Sequence, residues 1–371
     1  MKTILHVSKY YYPDLGGIET LVKSMAEGLT EYRNIVVCFA TDGQTRVETI
    51  GSVIVHRVKV NFSLMNQDVA FGYLNEMKWL MNEYKPHYVH VHCPNPFVYP
   101  IVLKTIQPET KLILHWHSDI ISKGLMYMFV KPIEKSILKR ADLILATSPN
   151  YVHHSSPINR YKDKIRIVQN GVITSDFDFR KGDRGRIEKV KKKYGHKKLV
   201  LFVGRHIPYK GIDLLIEAEK YIKNDCRIII SGTGPLTAHL KSVSKSPRVI
   251  FTGRLTADEL RCHAHAADVF AFPSNTKAEA FGIALAEAMY CRCVPVVFHL
   301  EGSGVNWVSA KDVTGMEVPL RDVQAFAAAV DKLLDDEELR AKMAEASHER
   351  VKEMFTDEIA VAKMREIYHE L

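Results

Sequence analysis

The sequence has few of the features that mark a disulfide-stabilised or membrane-spanning protein. Only 6 cysteines occur in 371 residues, and none forms a Cys-x-x-Cys pair. A disulfide framework is therefore excluded, and a reducing compartment is indicated. No stretch reaches the roughly 20 apolar residues of a spanning helix, and the first apolar run is too short for a signal peptide. We expect a cytoplasmic protein.

Other absences narrow the fold class. The chain has no short-period repeat and no low-complexity tract, which argues against a solenoid. Its content of 46% hydrophobic and 25% charged residues is that of an ordinary globular protein. Its length favours two domains, since a domain usually has about 100 to 200 residues. The net charge of +8 suggests an anionic partner: nucleic acid, a phospholipid surface or a phosphorylated small molecule.

The pattern of apolar runs predicts an α/β protein with two doubly wound parallel sheets. Short runs rich in β-branched residues alternate with helical stretches, first from Lys2–Val7 to Ile165–Val168 and again from Leu199–Val203 to Val294–Phe298. A polar, lysine-rich stretch separates the two series. The sequence therefore predicts one domain over residues 1–180, a basic linker over 181–198, a second domain over 199–350, and a C-terminal helix over 351–371 that packs on the first domain.

Ligands of such sheets bind at the carboxyl ends of the strands, so the strand-to-helix turns are the candidate sites. Gly16 and Gly17 open a helix after the first strand. Adjacent glycines at a helix N-terminus suit an anion, although glycine pairs are also common in ordinary loops. Gly232 and Gly234 begin like a dinucleotide fingerprint, but Thr237 stands where the third glycine is due, which disfavours NAD.

Two cations follow the first strand of the second series. Arg205 comes directly after Gly204 at the strand end, and Lys210 precedes the next helix. Together they could hold a diphosphate and neutralise the charge that grows on a leaving group without a metal ion. The alternative is that both are solvated surface charges.

A later turn carries two carboxylates. Backbone N–H groups around Phe281, Gly282 and Ile283 would lie at a helix N-terminus, where phosphate oxygens bind well. Glu279 stands in the loop and Glu287 on the helix, and acceptor-only carboxylates suit sugar and ribose hydroxyls. An acid near a helix start also complements the helix dipole, which would account for Glu279 more easily than for Glu287.

Taken in order along the chain, these motifs resemble the retaining nucleotide-sugar glycosyltransferases of family 4, over nearly the whole sequence. The resemblance implies the GT-B fold: two Rossmann-like domains facing a cleft, the first binding the acceptor and the second the nucleotide sugar. It also implies that Arg205 and Lys210 hold the donor diphosphate, Glu287 the ribose and Glu279 the transferred sugar. His117 would face the sugar and the reaction centre. The implied donor-binding positions also include Gly16, Gly17, Gly204, Gly232, Gly234, Phe281, Gly282 and Ile283.

The resemblance implies transfer of a hexose, with retention, to a glycan or polyprenyl-linked glycan. Two departures from the family pattern stand out: Ile173 replaces a usual Asp, and Glu301–Trp307 replaces the commoner Gly-Gly with a downstream Glu. The second variant is similar to members that build bacterial O-antigens from GDP-mannose. No Asp-x-Asp clamp follows a strand, so we expect no metal ion and no cofactor. The alternatives are a GT-B sugar phosphorylase, a nucleotide-dependent oxidoreductase or epimerase, and a non-catalytic polyanion-binding protein.

Two further features complete the sequence-based expectations. His90 and His92, and His115 and His117, are pairs at i, i+2 near strand ends, and we interpret them as hydrogen-bonding groups rather than zinc ligands. The stretch Lys123–Arg140 mixes bulky apolar residues with cations, as an interfacial helix does, although a buried helix with a solvated lysine face would look similar. We expect it to bind the anionic inner face of the plasma membrane, and we expect no nucleic-acid partner.

Overall fold

The structure of the protein is a computed structural model that describes residues 1–14, 16–64, 67–120 and 125–371. The chain divides into two units. Unit 1 comprises Met1–Gly171 and Asp357–Leu371, and unit 2 comprises Val172–Thr356. Each unit is an α/β structure around its own mainly parallel sheet.

Unit 1 contains an eight-stranded sheet in the order β10-β9-β8-β7-β1-β2-β4-β3, in which only β3 runs antiparallel to its neighbour. Its strands are β1 (Thr3–Val7), β2 (Arg33–Ala40), β3 (Arg46–Ile50), β4 (Val53–Lys59), β7 (Tyr88–Cys93), β8 (Lys111–Trp116), β9 (Leu143–Ala146) and β10 (Ile165–Ile167). A separate antiparallel pair consists of β5 (Phe62–Leu64) and β6 (Gln67–Val69). The helices are α1 (Gly17–Gly28), α2 (Tyr73–Tyr84), α3 (Tyr99–Thr105), α4 (Leu125–Arg140) and α5 (Pro149–His154).

Unit 2 contains a six-stranded parallel sheet in the order β13-β12-β11-β14-β15-β16. Its strands are β11 (Lys198–Val203), β12 (Cys226–Ser231), β13 (Val249–Gly253), β14 (Val269–Phe272), β15 (Val294–Phe298) and β16 (Met316–Val318). Its helices are α6 (Thr174–Phe177), α7 (Asp183–Lys193), α8 (Ile212–Ala218), α9 (Thr237–Val243), α10 (Ala257–Ala266), α11 (Ile283–Tyr290), α12 (Val305–Val308), α13 (Val323–Asp335) and α14 (Glu337–Met354).

The central strands are buried on both faces, which is why their sequences are continuous apolar runs. Every residue of β1, β7, β14 and β15 is buried, as expected for parallel strands covered by helices on both sides. The edge strand β3 instead alternates exposed and partly buried residues. Its polar, alternating sequence is the reason that the sequence analysis did not predict it.

The last helix, α15 (Asp357–Glu370), belongs to unit 1 and packs against α1. Met364 and Tyr368 are fully buried in the same apolar cluster as Leu21 and Met25 of α1. The boundary lies at residue 357 rather than 351, because α14 continues to Met354 and remains part of unit 2.

The predicted linker over residues 181–198 is instead folded into unit 2, and the division between the units falls at Val172. Asp183 opens α7, is fully buried, and accepts two hydrogen bonds from the buried guanidinium of Arg261, at 2.9 and 3.1 Å. Because a buried charge needs a partner, this pair fixes α7 against α10. The lysines of α7 are exposed to solvent. A helix with so many exposed lysines has the polar composition of a linker, which is why the sequence predicted one here.

Helix α4 presents a mixed surface in unit 1. Its exposed face carries two apolar side chains, Met128 and Phe129, beside Lys131, Lys135 and Lys139. Lys123, the first cation of the segment singled out in the sequence, lies outside the described residues. Among the helices that the structure describes, none has both the length and the apolar character that crossing a membrane would require.

Candidate active site

The loops that follow β11 and β12 pack backbone against backbone. A Cβ atom on Gly232, which has φ +118°, would lie 1.9 Å from the carbonyl oxygen of Gly204. One on Gly234 would lie 2.5 Å from the carbonyl oxygen of His206. Both glycines, predicted to bind the donor, are thus required for the two loops to approach each other. The structure gives them a packing role and does not test the predicted contact with a ligand.

Lys210 and Glu279 form an ion pair that links the loop after β11 to the loop after β14. Their side chains are only 13% and 10% exposed. Ser274 Oγ also donates a hydrogen bond to Glu279 Oε2, at 3.0 Å. The sequence predicted both charged residues as ligand-binding groups, and the structure brings them into direct contact.

The ammonium of Lys210 remains charged in this setting. Burial disfavours the charge, but the neighbouring carboxylate of Glu279 outweighs that effect and raises the pKa of Lys210. The Nζ atom lies 5.2 Å from the ring centre of Phe272 and 5.5 Å from that of Tyr209. An ammonium has three donors, so Lys210 can bond Glu279 and still offer N–H groups to an anion. Arg205, from the same loop, is exposed.

The start of α11 follows Glu279 closely in the sequence. Gly282 is its N-cap, with φ +89°, and Ile283 is its first residue. The first N–H groups of a helix have no partner within the helix, so they suit phosphate oxygens. The side chain of Phe281 is 2% exposed and packs edge-on against the rings of Trp307 and Phe355. Only the backbone of Phe281 is therefore placed to contact a ligand.

The loop after β15 supports the turn that carries Glu279, a contact that the sequence analysis missed. Ser303 Oγ donates a hydrogen bond to the carbonyl oxygen of Glu279. Gly304 N donates to the carbonyl oxygen of Ala280, at 3.0 Å. Ser303 lies within the segment whose sequence departs from the family pattern, so this variant loop holds the Glu279 turn in place. The departure from the family pattern was the one feature of the sequence that could have drawn attention to this loop.

Glu287, one turn into α11, is a partly buried carboxylate with an unusual proton affinity. Burial and the negative charge of Asp176 raise its pKa to about 7, although Lys210 acts in the opposite direction. Asp176, on α6, is a second neighbour that the sequence analysis did not identify. Near neutral pH, Glu287 can therefore either donate a hydrogen bond or act as a pure acceptor.

Gly16, Gly17 and His117 belong to unit 1. Gly17 begins α1, and a Cβ atom on Gly16 would lie 2.2 Å from Glu19 Oε2. Gly16 thus makes room for a carboxylate at the N-terminus of α1, where negative charge is favoured by the helix dipole. Whether the glycine pair also contacts a donor phosphate stays a prediction.

His117 follows β8 and belongs to a stack of five buried histidines. Burial lowers the pKa of each imidazole, to about 3 for His117 and to about 4 for His6. Register places His6 beside His90, and His92 beside His115. The sequence analysis missed His6. Its position just before the end of the first predicted strand, like that of the other histidines near their strand ends, could have identified it.

Two trios in this stack have ring nitrogens within 4.8 Å of one another: His6, His90 and His92, and His92, His115 and His117. Neutral imidazole is a common ligand of transition metals. Within the described residues, these trios are therefore the groups that could hold a metal ion. The expectation that the protein needs no metal ion remains a prediction.

Comparison with known proteins gives consistent matches over both units. The family "Glycosyltransferase Family 4" matches residues 15–176, and "Glycosyl transferases group 1" matches residues 183–350. The chain is 30% identical to O-antigen chain mannosyltransferase C of Escherichia coli, over 95% of this chain and 94% of that protein. It is 28% identical to D-rhamnosyltransferase WbpZ of Pseudomonas aeruginosa, over 95% and 92% of the two chains.

A solved structure matches the fold over the full length. The sucrose-phosphate synthase of Thermosynechococcus elongatus superposes with a TM-score of 0.84 at 20% identity, and the match covers 100% of this chain and 99% of that one. The predicted GT-B fold is thereby confirmed. The matches do not favour a sugar phosphorylase, an oxidoreductase or epimerase, or a polyanion-binding protein.

The raised pKa of Glu287 predicts a pH-dependent affinity for a nucleotide sugar. If the ionised carboxylate accepts hydrogen bonds from two vicinal ribose hydroxyls, binding requires loss of the proton. Affinity then strengthens as the pH rises through about 7, by about tenfold between pH 6 and pH 8. Titration calorimetry at several pH values measures this change in affinity. The change can be assigned to the protein, because the diphosphate of a nucleotide sugar does not titrate in this range.

Two variants make this test specific. Glu287→Gln should bind more weakly and show no such pH dependence. Glu217→Gln removes an exposed carboxylate on α8 of the same unit and should keep the wild-type profile. A wild-type affinity that stays constant from pH 6 to pH 8 would contradict the predicted role of Glu287.

Proposed function

We propose a specific reaction for this chain, which belongs to the glycosyltransferases of family 4: metal-independent transfer of a hexose from a nucleotide diphosphate sugar to a hydroxyl of a glycan, with retention of configuration. The observation that carries this proposal is the buried ion pair of Lys210 and Glu279, of which Glu279 lies just before the start of α11 in the sequence. It supplies a fixed positive charge for a diphosphate and a fixed carboxylate for sugar hydroxyls.

The positive charge acts on the leaving group. In the proposed reaction, the bond between the anomeric carbon and the diphosphate oxygen breaks, and negative charge grows on that oxygen. Lys210, Arg205 and the first N–H groups of α11 stabilise this charge in place of a metal ion. The anomeric carbon then forms its new bond to the acceptor oxygen, and the acceptor proton passes to the departing diphosphate.

Glu279 positions the sugar rather than attacking it. Its Oε2 atom is engaged by Lys210 and Ser274, which fixes the orientation of the carboxylate. The acceptor attacks from the side on which the diphosphate leaves, and the anomeric configuration is retained. Retention and metal independence are thus both parts of the proposal.

We propose mannose as the transferred hexose and a lipid-linked surface polysaccharide as the acceptor. The support comes from the O-antigen chain mannosyltransferase C of Escherichia coli, which matches this chain over nearly its full length. The second candidate is D-rhamnose, because a D-rhamnosyltransferase matches almost as well. D-Rhamnose is 6-deoxy-D-mannose, so the two sugars differ only at carbon 6.

A thermal-shift screen tests the donor. GDP-mannose should raise the melting temperature more than GDP-D-rhamnose, UDP-glucose, dTDP-glucose or ADP-glucose, because a ligand at ~100 times its dissociation constant adds about 2.7 kcal/mol of stability. The best donor should then support transfer in the presence of EDTA, with an α-linked product from an α-linked donor. Stabilisation by none of these sugars, or an inverted product, would refute the proposal.

Lys210→Ala should reduce turnover by about 10² or more, because the leaving-group charge loses a preorganised partner. Since the same change leaves Glu279 without its cation, Lys210→Met with Glu279→Gln serves as the variant in which neither buried charge is left unpaired. Lys220→Ala, at an exposed lysine of the same unit, is the control. Steady-state kinetics measures all three, and near-wild-type turnover in Lys210→Ala would rule out the role.

We also propose that α4 binds an anionic membrane surface peripherally, on the cytoplasmic side. Met128 and Phe129 are 72% and 70% exposed, which is unusual for large apolar side chains on a helix. Lys131, Lys135 and Lys139 share their exposed face. Such a face binds by inserting its apolar groups at the interface while its lysines attract anionic headgroups. A lipid-linked acceptor would then be presented at that surface.

Replacing Lys131, Lys135 and Lys139 by Glu should abolish co-sedimentation with vesicles of phosphatidylglycerol and phosphatidylethanolamine. The matched control replaces three exposed lysines of α7, Lys189, Lys191 and Lys192, by Glu. It changes the net charge equally but should keep binding, because α7 has no exposed apolar pair beside its lysines. Equal loss in both variants would mean that only net charge matters, and unchanged binding in the α4 variant would contradict the proposal.

A further inference from the structure

The histidine stack in unit 1 contains a continuous line of hydrogen bonds, formed by Asn34, His6, His92 and His117, which we call the imidazole chain. It crosses four neighbouring strands of the sheet, from β2 through β1 and β7 to the end of β8. Asn34 Oδ1 lies 3.3 Å from His6 Nε2, His6 Nδ1 lies 3.4 Å from His92 Nε2, and His92 Nδ1 lies 3.1 Å from His117 Nε2. Each internal ring thus uses both of its nitrogens.

The orientation of the Asn34 amide sets the direction of this line. Its Nδ2 donates to the carbonyl oxygens of Leu29 and Tyr32, at 2.9 and 3.2 Å. A carbonyl can only accept, so the NH₂ group must face these two and the Oδ1 atom must face His6. Oδ1 is itself only an acceptor. His6 Nε2 therefore carries the proton.

The position of the proton on His6 determines the positions of the protons along the rest of the imidazole chain, because each imidazole is neutral and has one donor and one acceptor. With its proton on Nε2, His6 presents a bare Nδ1, to which His92 Nε2–H donates. His92 then presents a bare Nδ1, to which His117 Nε2–H donates. His117 is left with a lone pair on Nδ1, which is buried and has no partner among the residues that the structure describes.

The neutral state that this reasoning needs is secured by burial. All three histidines are fully or almost fully buried, and burial lowers the pKa of His117 to about 3 and of His6 to about 4. The pKa of His92 is also well below its ordinary value, from burial and from the neighbouring histidines. None of the three carries a charge near neutral pH.

We propose that Asn34, His6 and His92 are positioning residues that lock His117 in the Nε2–H tautomer, so that its Nδ1 accepts a hydrogen bond from a hydroxyl of the sugar substrate. The hydroxyl is the part that rests on the proposed function. His117 lies just past the carboxyl end of β8, the end at which doubly wound sheets bind ligands. Because burial lowers the pKa of His117 to about 3, its Nδ1 accepts a hydrogen bond and does not serve as a base.

The tautomer can be observed directly, without any assumption about activity. In protein labelled with ¹⁵N-histidine, the couplings of the ring protons show which nitrogen is protonated, and His117→Asn assigns the signal. We expect His6, His92 and His117 all in the Nε2–H form in the wild-type protein. A wild-type His117 that is protonated on Nδ1, or that averages both forms, would overturn the proposal.

Two aromatic substitutions test whether the imidazole chain fixes the tautomer of His117. His92→Phe keeps a flat ring of similar volume but removes both hydrogen bonds, so His117 should populate both tautomers. His90→Phe is the matched control, because His90 is two residues away on the same strand, equally buried, and bonded to Tyr368 OH at 2.7 Å rather than to the chain. It should leave the His117 signal unchanged. If His92→Phe does not fold, His92→Gln, which retains a donor and an acceptor, should restore the single tautomer.

Kinetics separates the sugar contact from the tautomer. His92→Phe should lower kcat/KM by about twofold, in proportion to the share of His117 that leaves the Nε2–H form, and His90→Phe should not. A raised KM for the donor places the hydroxyl on the transferred sugar, and a raised KM for the acceptor places it on the glycan. An unchanged kcat/KM with a shifted tautomer would overturn the sugar contact.

Two further outcomes have distinct meanings. If the wild-type protein transfers no sugar from any donor while the Nε2–H tautomer is observed, the proposed function fails and the lock stands. If the purified protein contains one equivalent of zinc, the lock fails, because nitrogens 3.1 to 3.4 Å apart would then share a metal ion rather than a proton. Elemental analysis of the protein, before and after treatment with a chelator, decides this.

Discussion

The loops at one end of the unit 2 sheet are organised around an ammonium group that is held away from water. The side chain of Lys210 is 13% exposed, and an unpaired charge at such a site would be costly. The carboxylate of Glu279 offsets that cost, and the pair joins two loops that the chain delivers from different strands. A third loop, through Ser303, supports the Glu279 backbone. Three loops therefore contribute to holding this one cation in place.

Close backbone approach is the second requirement of this site. The turns after β11 and β12 meet at Gly232 and Gly234, where a Cβ atom would overlap the carbonyl oxygen of Gly204 or of His206. The glycines that resemble a phosphate-binding motif are thus also the residues that allow the loops to pack. The residues that are predicted to bind the donor thus also meet a folding requirement, so neither role can be read from the glycine spacing alone.

Unit 1 contains a cluster of buried polar groups that are neutral, in contrast to the Lys210–Glu279 ion pair of unit 2. Five imidazoles are buried together on one face of its sheet, where ionisation is suppressed and each ring nitrogen must be either a donor or an acceptor. The amide of Asn34, fixed by two carbonyls, sets the direction of the hydrogen bonds through His6 and His92. Such a line can specify an acceptor at its far end while every imidazole in it stays neutral.

The order of apolar runs along the sequence was enough to predict two doubly wound sheets, since central parallel strands are continuously apolar. The order of the motifs was enough to indicate the family. The sequence could not place β3, whose residues alternate, or assign residues 181–198 to unit 2, because the buried contact of Asp183 with Arg261 joins positions far apart in the chain. Contacts between distant residues also decided the pairing of Lys210 with Glu279, the proton affinity of Glu287, and the direction of the imidazole chain, because burial and hydrogen-bond geometry exist only once the chain is folded.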